Sequence, residues 1–113
     1  MSSKYDVLVI GGGNAALCAA IAARRAGASV LVLEGAPKFY RGGNTRHTRN
    51  LRLAHDAGNG MLTGPYPAAE FADDLARVTG GDTDAALARL TIAESAGLWD
   101  WLNAQGVRFQ KPL

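Results

Sequence analysis

The stretch VLVIGGGNAALCAA, Val7 to Ala20, constrains this chain more than any other. Four branched aliphatic residues run into three consecutive glycines, and the glycines into side chains too small to fill a core. Glycine costs backbone entropy wherever it stands, so a cluster marks a place where something approaches the main chain closely. Asp6 to Ile10 reads as a short strand, apolar on both faces as buried parallel strands are. Asn14 to Ala26 reads as a helix that Gly27 stops. Ala28 to Leu33 (ASVLVL) reads as a second buried strand, closed by Glu34 and Gly35. The spacing predicts an α/β fold built on one right-handed, parallel strand–helix–strand unit.

Gly11-Gly12-Gly13-Asn14-Ala15-Ala16 fits G-x-G-x-x-A, directly after a strand and opening a helix. Gly11 permits the tight turn, Gly13 removes a Cβ so that a pyrophosphate can touch the backbone, and Ala16 lets the helix lie close on the strands. Ala19, Ala20, Ala22 and Ala23 extend that close contact. The N–H groups opening the helix carry the positive end of its dipole, which suits a diphosphate. Glu34 ends the second strand, where a carboxylate accepts hydrogen bonds from ribose hydroxyls. A tight turn with a surface glutamate and no ligand would have to account for strand, glycines, helix, strand and acid separately. The reading is therefore a Rossmann-like dinucleotide site. The motif does not separate nicotinamide from flavin, but Glu34 would repel a 2′-phosphate and so argues against NADP.

Bulk composition agrees. At 113 residues the chain is at most one modest domain, and 48% apolar against 19% charged residues fits a globular chain. A net charge of +2 is too small to imply nucleic acid. Cys18 is the single cysteine, so no intrachain disulfide forms. Among alanines on a helix it reads as a small buried apolar residue rather than a catalytic thiol. Lys4 before an apolar stretch imitates a signal peptide, but Asp6 and the glycines interrupt it, and the apolar part is too short for a membrane span. The expected location is cytoplasmic. No metal site is expected.

Beyond Ala36 the periodicity vanishes, and GNGMLTGPYP, Gly58 to Pro67, is turn-rich. Residues 1–57 are read as the nucleotide-binding unit and its adjoining loop, and residues 58–113 as a helical segment. A helix is expected from Ala68 to Val78, with Phe71, Leu75 and Val78 on one face and Gly80-Gly81 ending it. Thr83 caps a longer helix carrying Leu87, Leu90, Leu98, Trp101 and Leu102, which Gly97 breaks in two. Trp101 is expected inward and Trp99 partly exposed, with Val107 to Phe109 a short strand. Two parallel strands leave two unpaired edges and need helices on both faces, so the domain reads as incomplete, the N-terminal portion of something larger.

YRGGNTRHTRNLRLAHD, Tyr40 to Asp56, is the second informative stretch. Gly42-Gly43 again allows close backbone approach, Asn44 and Thr45 offer donors and acceptors, and Arg41, Arg46, Arg49 and Arg52 concentrate positive charge just beyond Glu34. This suggests a second wall of the same anionic site, the alternative being a solvated basic loop. The loop lacks the interleaved aromatics of a nucleic-acid surface, and Glu34 and Asp56 flank it. His55, beside Asp56, reads as a local ion pair.

DVLVIGGGNAA, the acid-ended second strand and the following GGNT resemble the flavoprotein subunits of the fumarate reductase and succinate dehydrogenase family. RGGNTRHTRNLR, VTGGDTDAALARL, AESAG and GVRFQ are similar to its tricarballylate-oxidising, FAD-dependent branch. The resemblance runs through essentially all of the chain and covers the N-terminal quarter or so of such an enzyme. It implies FAD, with Gly11, Gly13, Asn14, Ala15 and Ala16 around the pyrophosphate and Glu34 on the adenosine ribose. It places Arg41, Gly42, Gly43, Asn44, Thr45 and Thr48 along the pyrophosphate and flavin side. The chain departs from the family at Thr48-Arg49-Asn50, where relatives commonly carry a small residue followed by Gly-Gly. The register set by Gly42-Gly43 puts Asn44, not His47, opposite the histidine to which succinate dehydrogenases bond FAD covalently, so His47 is read as a hydrogen-bonding or structural residue.

By the same resemblance the parent enzyme oxidises a small tricarboxylate or dicarboxylate and passes electrons to a membrane-bound partner. Its base and carboxylate-clamping arginines fall downstream of Leu113, so no catalytic residue is assigned and the 113-residue chain alone is expected to be inactive. Two alternatives stand beside this: a related flavoprotein oxidising the precorrin-3 ring in cobalamin formation, and a non-catalytic nucleotide-binding fragment.

Overall fold

The computed structural model describes residues 4–48 and 50–110. Two compact units divide the chain between Asn50 and Leu51. In the first, β1 (Val7–Ile10) and β2 (Val30–Leu33) pair in parallel, joined by α1 (Asn14–Arg25). Val7 lies opposite Val30 and Ile10 opposite Leu33. This is the α/β arrangement the sequence dictates, a strand–helix–strand unit followed by helices.

Both strands are shorter than the apolar runs suggest, because polar residues take over their first positions. Asp6 N–H and Val7 N–H both donate to Ser29 O, each at 3.1 Å. The Asp6 carboxylate accepts from Ser29 N–H at 2.8 Å and Ser29 Oγ–H at 2.6 Å. These bonds pin the strand entrances together. Ala28 N–H closes the end of α1 on Ala23 O at 3.1 Å, which delays β2 to Val30.

The strands are not buried on both faces. Val9 is 9% exposed, whereas Leu8 is 59% and Ile10 76% exposed. On α1 the half-buried small residues are Ala16, Ala20 and Ala23, one stripe of helical spacing, while Ala19 and Ala22 face solvent. Cys18 is half-buried and free.

The second unit opens with an extended segment whose Leu53 and Ala54 are buried. His55 and Tyr66 exchange backbone hydrogen bonds of 2.8 Å in an antiparallel bridge. Asn59 Oδ1 accepts from Met61 N–H and Leu62 N–H, folding the intervening turn. α2 (Ala68–Thr79) ends at Gly80, α3 (Ala85–Ser95) follows, and Gly97 separates it from α4 (Leu98–Ala104).

Several expectations for this half are corrected. Val78 is 76% exposed, leaving Phe71, Asp74 and Leu75 on the covered side of α2. The cap of α3 is Asp84, whose Oδ1 accepts from Leu87 N–H at 2.8 Å, while the Thr83 hydroxyl bonds that of Thr79. Leu87 and Leu90 are exposed, and Ile92 and Ser95 are the buried pair of α3. Ser95 Oγ accepts from the buried Ala54 N–H at 3.0 Å and donates to Ile92 O, which anchors the extended segment to α3. Residues 107–109 form no strand; Phe109 instead stacks on Trp99 with ring centres 4.3 Å apart. Trp99 and Trp101 are both half-buried.

Candidate cofactor site

At the end of β1 the chain turns on Gly11, whose N–H donates to Leu33 O at 2.7 Å. Its φ of 112° belongs to the region that a Cβ disfavours, so this position requires glycine for the turn itself. Gly13, with φ −80° and ψ 177°, is the N-cap of α1 and offers no side chain to close it. Its carbonyl accepts from Leu17 N–H, and the Asn14 N–H is taken by the Thr45 hydroxyl oxygen at 3.1 Å. Among the described residues no acceptor engages the N–H groups of Ala15 and Ala16. They remain the donors at the positive end of the helix dipole.

Glu34 follows β2 and faces this turn. Its Oε1 accepts from Ala36 N–H at 2.9 Å and its Oε2 from Gly42 N–H at 3.4 Å. The Ala36 N–H, then that of Gly42, holds the carboxyl below the ordinary glutamate range against a smaller opposing desolvation. Glu34 is exposed, so an ionised acceptor stands at the surface beside the glycine turn.

The loop after β2 is folded back by Pro37 O, which accepts from Tyr40 N–H at 2.7 Å and Arg41 N–H at 3.0 Å. Gly42, at φ 106°, then starts a 3₁₀ turn, Gly43–His47, where the sequence predicts only an ordered loop. Within it Thr45 is half-buried against the start of α1, whereas Gly43, Asn44 and His47 are exposed. Thr48 closes the turn, its N–H and hydroxyl both directed at Thr45 O.

The structure thus gathers Gly11, Gly13, Asn14, Ala15, Ala16, Glu34, Gly42 and Thr45 at one place, the end of β1 and β2. Arg41 and Thr48 sit on the same loop without turning onto the glycine turn through any hydrogen bond among the described residues. Arg46 makes its contacts on the loop itself. Arg46 donates to Phe39 O at 2.6 Å and lies 5.8 Å from the Phe39 and Tyr40 ring centres.

Arg52 belongs to the second unit, where it reaches Asp74 and the Tyr66 hydroxyl, each at 2.9 Å. Arg77 joins the same carboxylate. Arg49 lies outside the described residues. His55 makes no pair with Asp56; its ring nitrogens bond Leu53 O at 2.7 Å and Gly64 O at 2.9 Å.

One residue of the site escapes the motif. A Cβ on Gly12 would stand 2.6 Å from Glu34 Oε2, so a side chain at the variable position of G-x-G would displace the carboxylate that lies over it. The third consecutive glycine was the available signal.

Compared with known proteins, the chain matches the family model described as FAD binding domain over residues 6–112. The chain belongs to that family. Neither the curated proteins nor the solved structures gave a match. FAD is accordingly the cofactor of this FAD binding domain, a component of flavoprotein oxidoreductases.

The residues present fit it: a turn bare of Cβ atoms, unengaged N–H groups opening a helix, and an ionised carboxylate one strand away. No helix among the described residues is long and apolar enough to cross a membrane. No group of three or more His, Cys, Asp or Glu among them is placed to hold a metal ion.

Proposed function

We propose that this FAD binding domain serves a dehydrogenase that oxidises a small polycarboxylate, tricarballylate to cis-aconitate. The cofactor half of this reading is supported by the joining of the two glycine turns, with Glu34 on Gly42 and Thr45 on Asn14. The likeness of RGGNTRHTRNLR and VTGGDTDAALARL to the tricarballylate-oxidising branch supports the substrate.

In this reading Gly11 and Gly13 leave main chain bare beside the pyrophosphate, and the Ala15 and Ala16 N–H groups donate to it. Glu34 accepts the adenosine ribose hydroxyls and by its charge rejects a 2′-phosphate. Arg41, Gly43, Asn44 and Thr48 line the flavin side. FAD supplies the hydride acceptor; the protein supplies orientation and charge. The base and the carboxylate-clamping arginines belong to the parent enzyme, which hands electrons to a membrane-bound partner from the cytoplasmic side.

The test is the absorbance of the purified full-length parent. Bands of oxidised flavin, bleached by added tricarballylate, are the expected result. Flavin bands that tricarballylate leaves unchanged would remove this substrate. The 113-residue chain reconstituted with FAD is expected to show the bands and no turnover of tricarballylate.

A further inference from the structure

The Thr45 hydroxyl is placed where a helix cap belongs, yet it comes from a turn 31 residues away. A hydroxyl has one proton to give and two lone pairs to accept with. At Thr45 the oxygen accepts from Asn14 N–H at 3.1 Å, and among the described residues nothing accepts its proton. Room for this contact is made by Gly13. A Cβ there would stand 3.3 Å from Thr45 Oγ1 and 3.4 Å from Gly42 O, tighter than side chains normally pack. The bareness of Gly13 therefore admits a protein partner as well as a ligand.

We propose that Thr45 is a relay between the helix and the cofactor. It caps α1 through the Asn14 N–H and donates its own proton to the FAD pyrophosphate, so Asn14 N–H does not meet the phosphates directly. This rests on FAD as the cofactor and not on the proposed substrate. It also ties the second glycine turn to the first through bonds between protein atoms alone, joined by that from Gly42 N–H to Glu34. Capping and phosphate contact then rise or fall together, since one oxygen atom serves both.

ADP is the probe, because it carries the pyrophosphate without the flavin. In the ligand-free 113-residue chain, amide exchange at Asn14 is expected to be slow in wild type and in Thr45→Ser, and about tenfold faster in Thr45→Val. ADP and FAD affinities are expected to fall roughly tenfold to a hundredfold in Thr45→Val and to return in Thr45→Ser. Unchanged Asn14 exchange in Thr45→Val would remove the cap. Faster exchange with unchanged ADP affinity would remove the relay.

Should Thr45→Val fail to fold, wild type decides. Asn14 exchange is expected to be slow already in the ligand-free chain, and ADP to shift the amide resonances of Ala15 and Ala16 while slowing Asn14 no more than the amides around it. An Asn14 amide that gains protection only with ADP would place it on the phosphate and overturn the proposal. Wild type that binds neither ADP nor FAD would count against the FAD assignment itself, a result separate from the exchange measurement in the ligand-free chain.

Discussion

A Cβ on Gly12 would meet Glu34 Oε2, the far end of a flexible side chain, whereas one on Gly11 would have space but the wrong φ. The two substitutions therefore separate ligand binding from folding. Gly12→Ala is expected to push the carboxylate aside and weaken FAD by about tenfold, the scale of one hydrogen bond to a charged group, with little change in Tm. Gly11→Ala is expected to cost roughly 1–2 kcal/mol of stability through backbone strain. Titration of FAD binding by flavin fluorescence, beside thermal melts, checks both. Acid titration reads other carboxyls of the same unit. The Ser29 hydroxyl, then its N–H, lowers the Asp6 pKa, and backbone N–H groups lower that of Glu34. A depressed folded-state pKa gives stability that is present above the unfolded value, about 4 for these groups, and is lost as pH falls through the folded one. Melting temperature is thus expected to hold from pH 7 to about pH 5 and to drop below about pH 4. Asp6→Asn should lessen that drop; an unaltered acid limb would mean that Asp6 contributes nothing to it.

Caps and turns decide the elements more than their apolar content does. Asp84 and Thr83 are both capping residues, but only Asp84 places its oxygen on the N–H three residues on, at Leu87. Asp84→Ala is expected to destabilise the second unit by about 1 kcal/mol, read from denaturant melts followed by helix signal. Thr83→Ala should cost less, because its hydroxyl meets only that of Thr79. β1, α1, β2 and the break at Gly97 were legible in the sequence because a glycine or a polar residue punctuates each of them. The same holds for the turn of Gly11 and the acid at Glu34, which follow from local order along the chain. The buried face of α3 was not legible: Leu87, Leu90 and Ile92 are alike in hydropathy, and what selects Ile92 is Ser95 on the same face bonding the distant Ala54 N–H. Nor were Thr45 on Asn14 and Arg52 on Asp74 legible, since each pairs residues more than twenty positions apart. The stretch 107–109 alternates like a strand but pairs with no strand among the described residues, and Phe109 finds the Trp99 ring instead.

All the cofactor residues proposed here lie at or before Thr48, within the unit that ends at Asn50. That unit holds a two-stranded parallel sheet with Leu8, Ile10, Val32 and Leu33 exposed, and Val9 is its one buried apolar residue among those described. Such a sheet has little burial to oppose local opening, because parallel strands are normally covered on both faces. The second unit has its own buried set, Leu53, Ala54, Ile92 and Ser95. A ligand that binds only the folded form stabilises it by about 2.7 kcal/mol at a hundred times its Kd. That stabilisation goes to whatever structure must be intact for binding. Saturating FAD is therefore expected to slow amide exchange from β1 through the 3₁₀ turn, by up to about a hundredfold where opening destroys the site. Exchange in α2, α3 and α4 should change little. Hydrogen exchange read by mass spectrometry with and without FAD makes the comparison. Protection spread evenly over both units would mean that binding requires the helical unit as well, and that the cofactor site draws on residues beyond the two glycine turns.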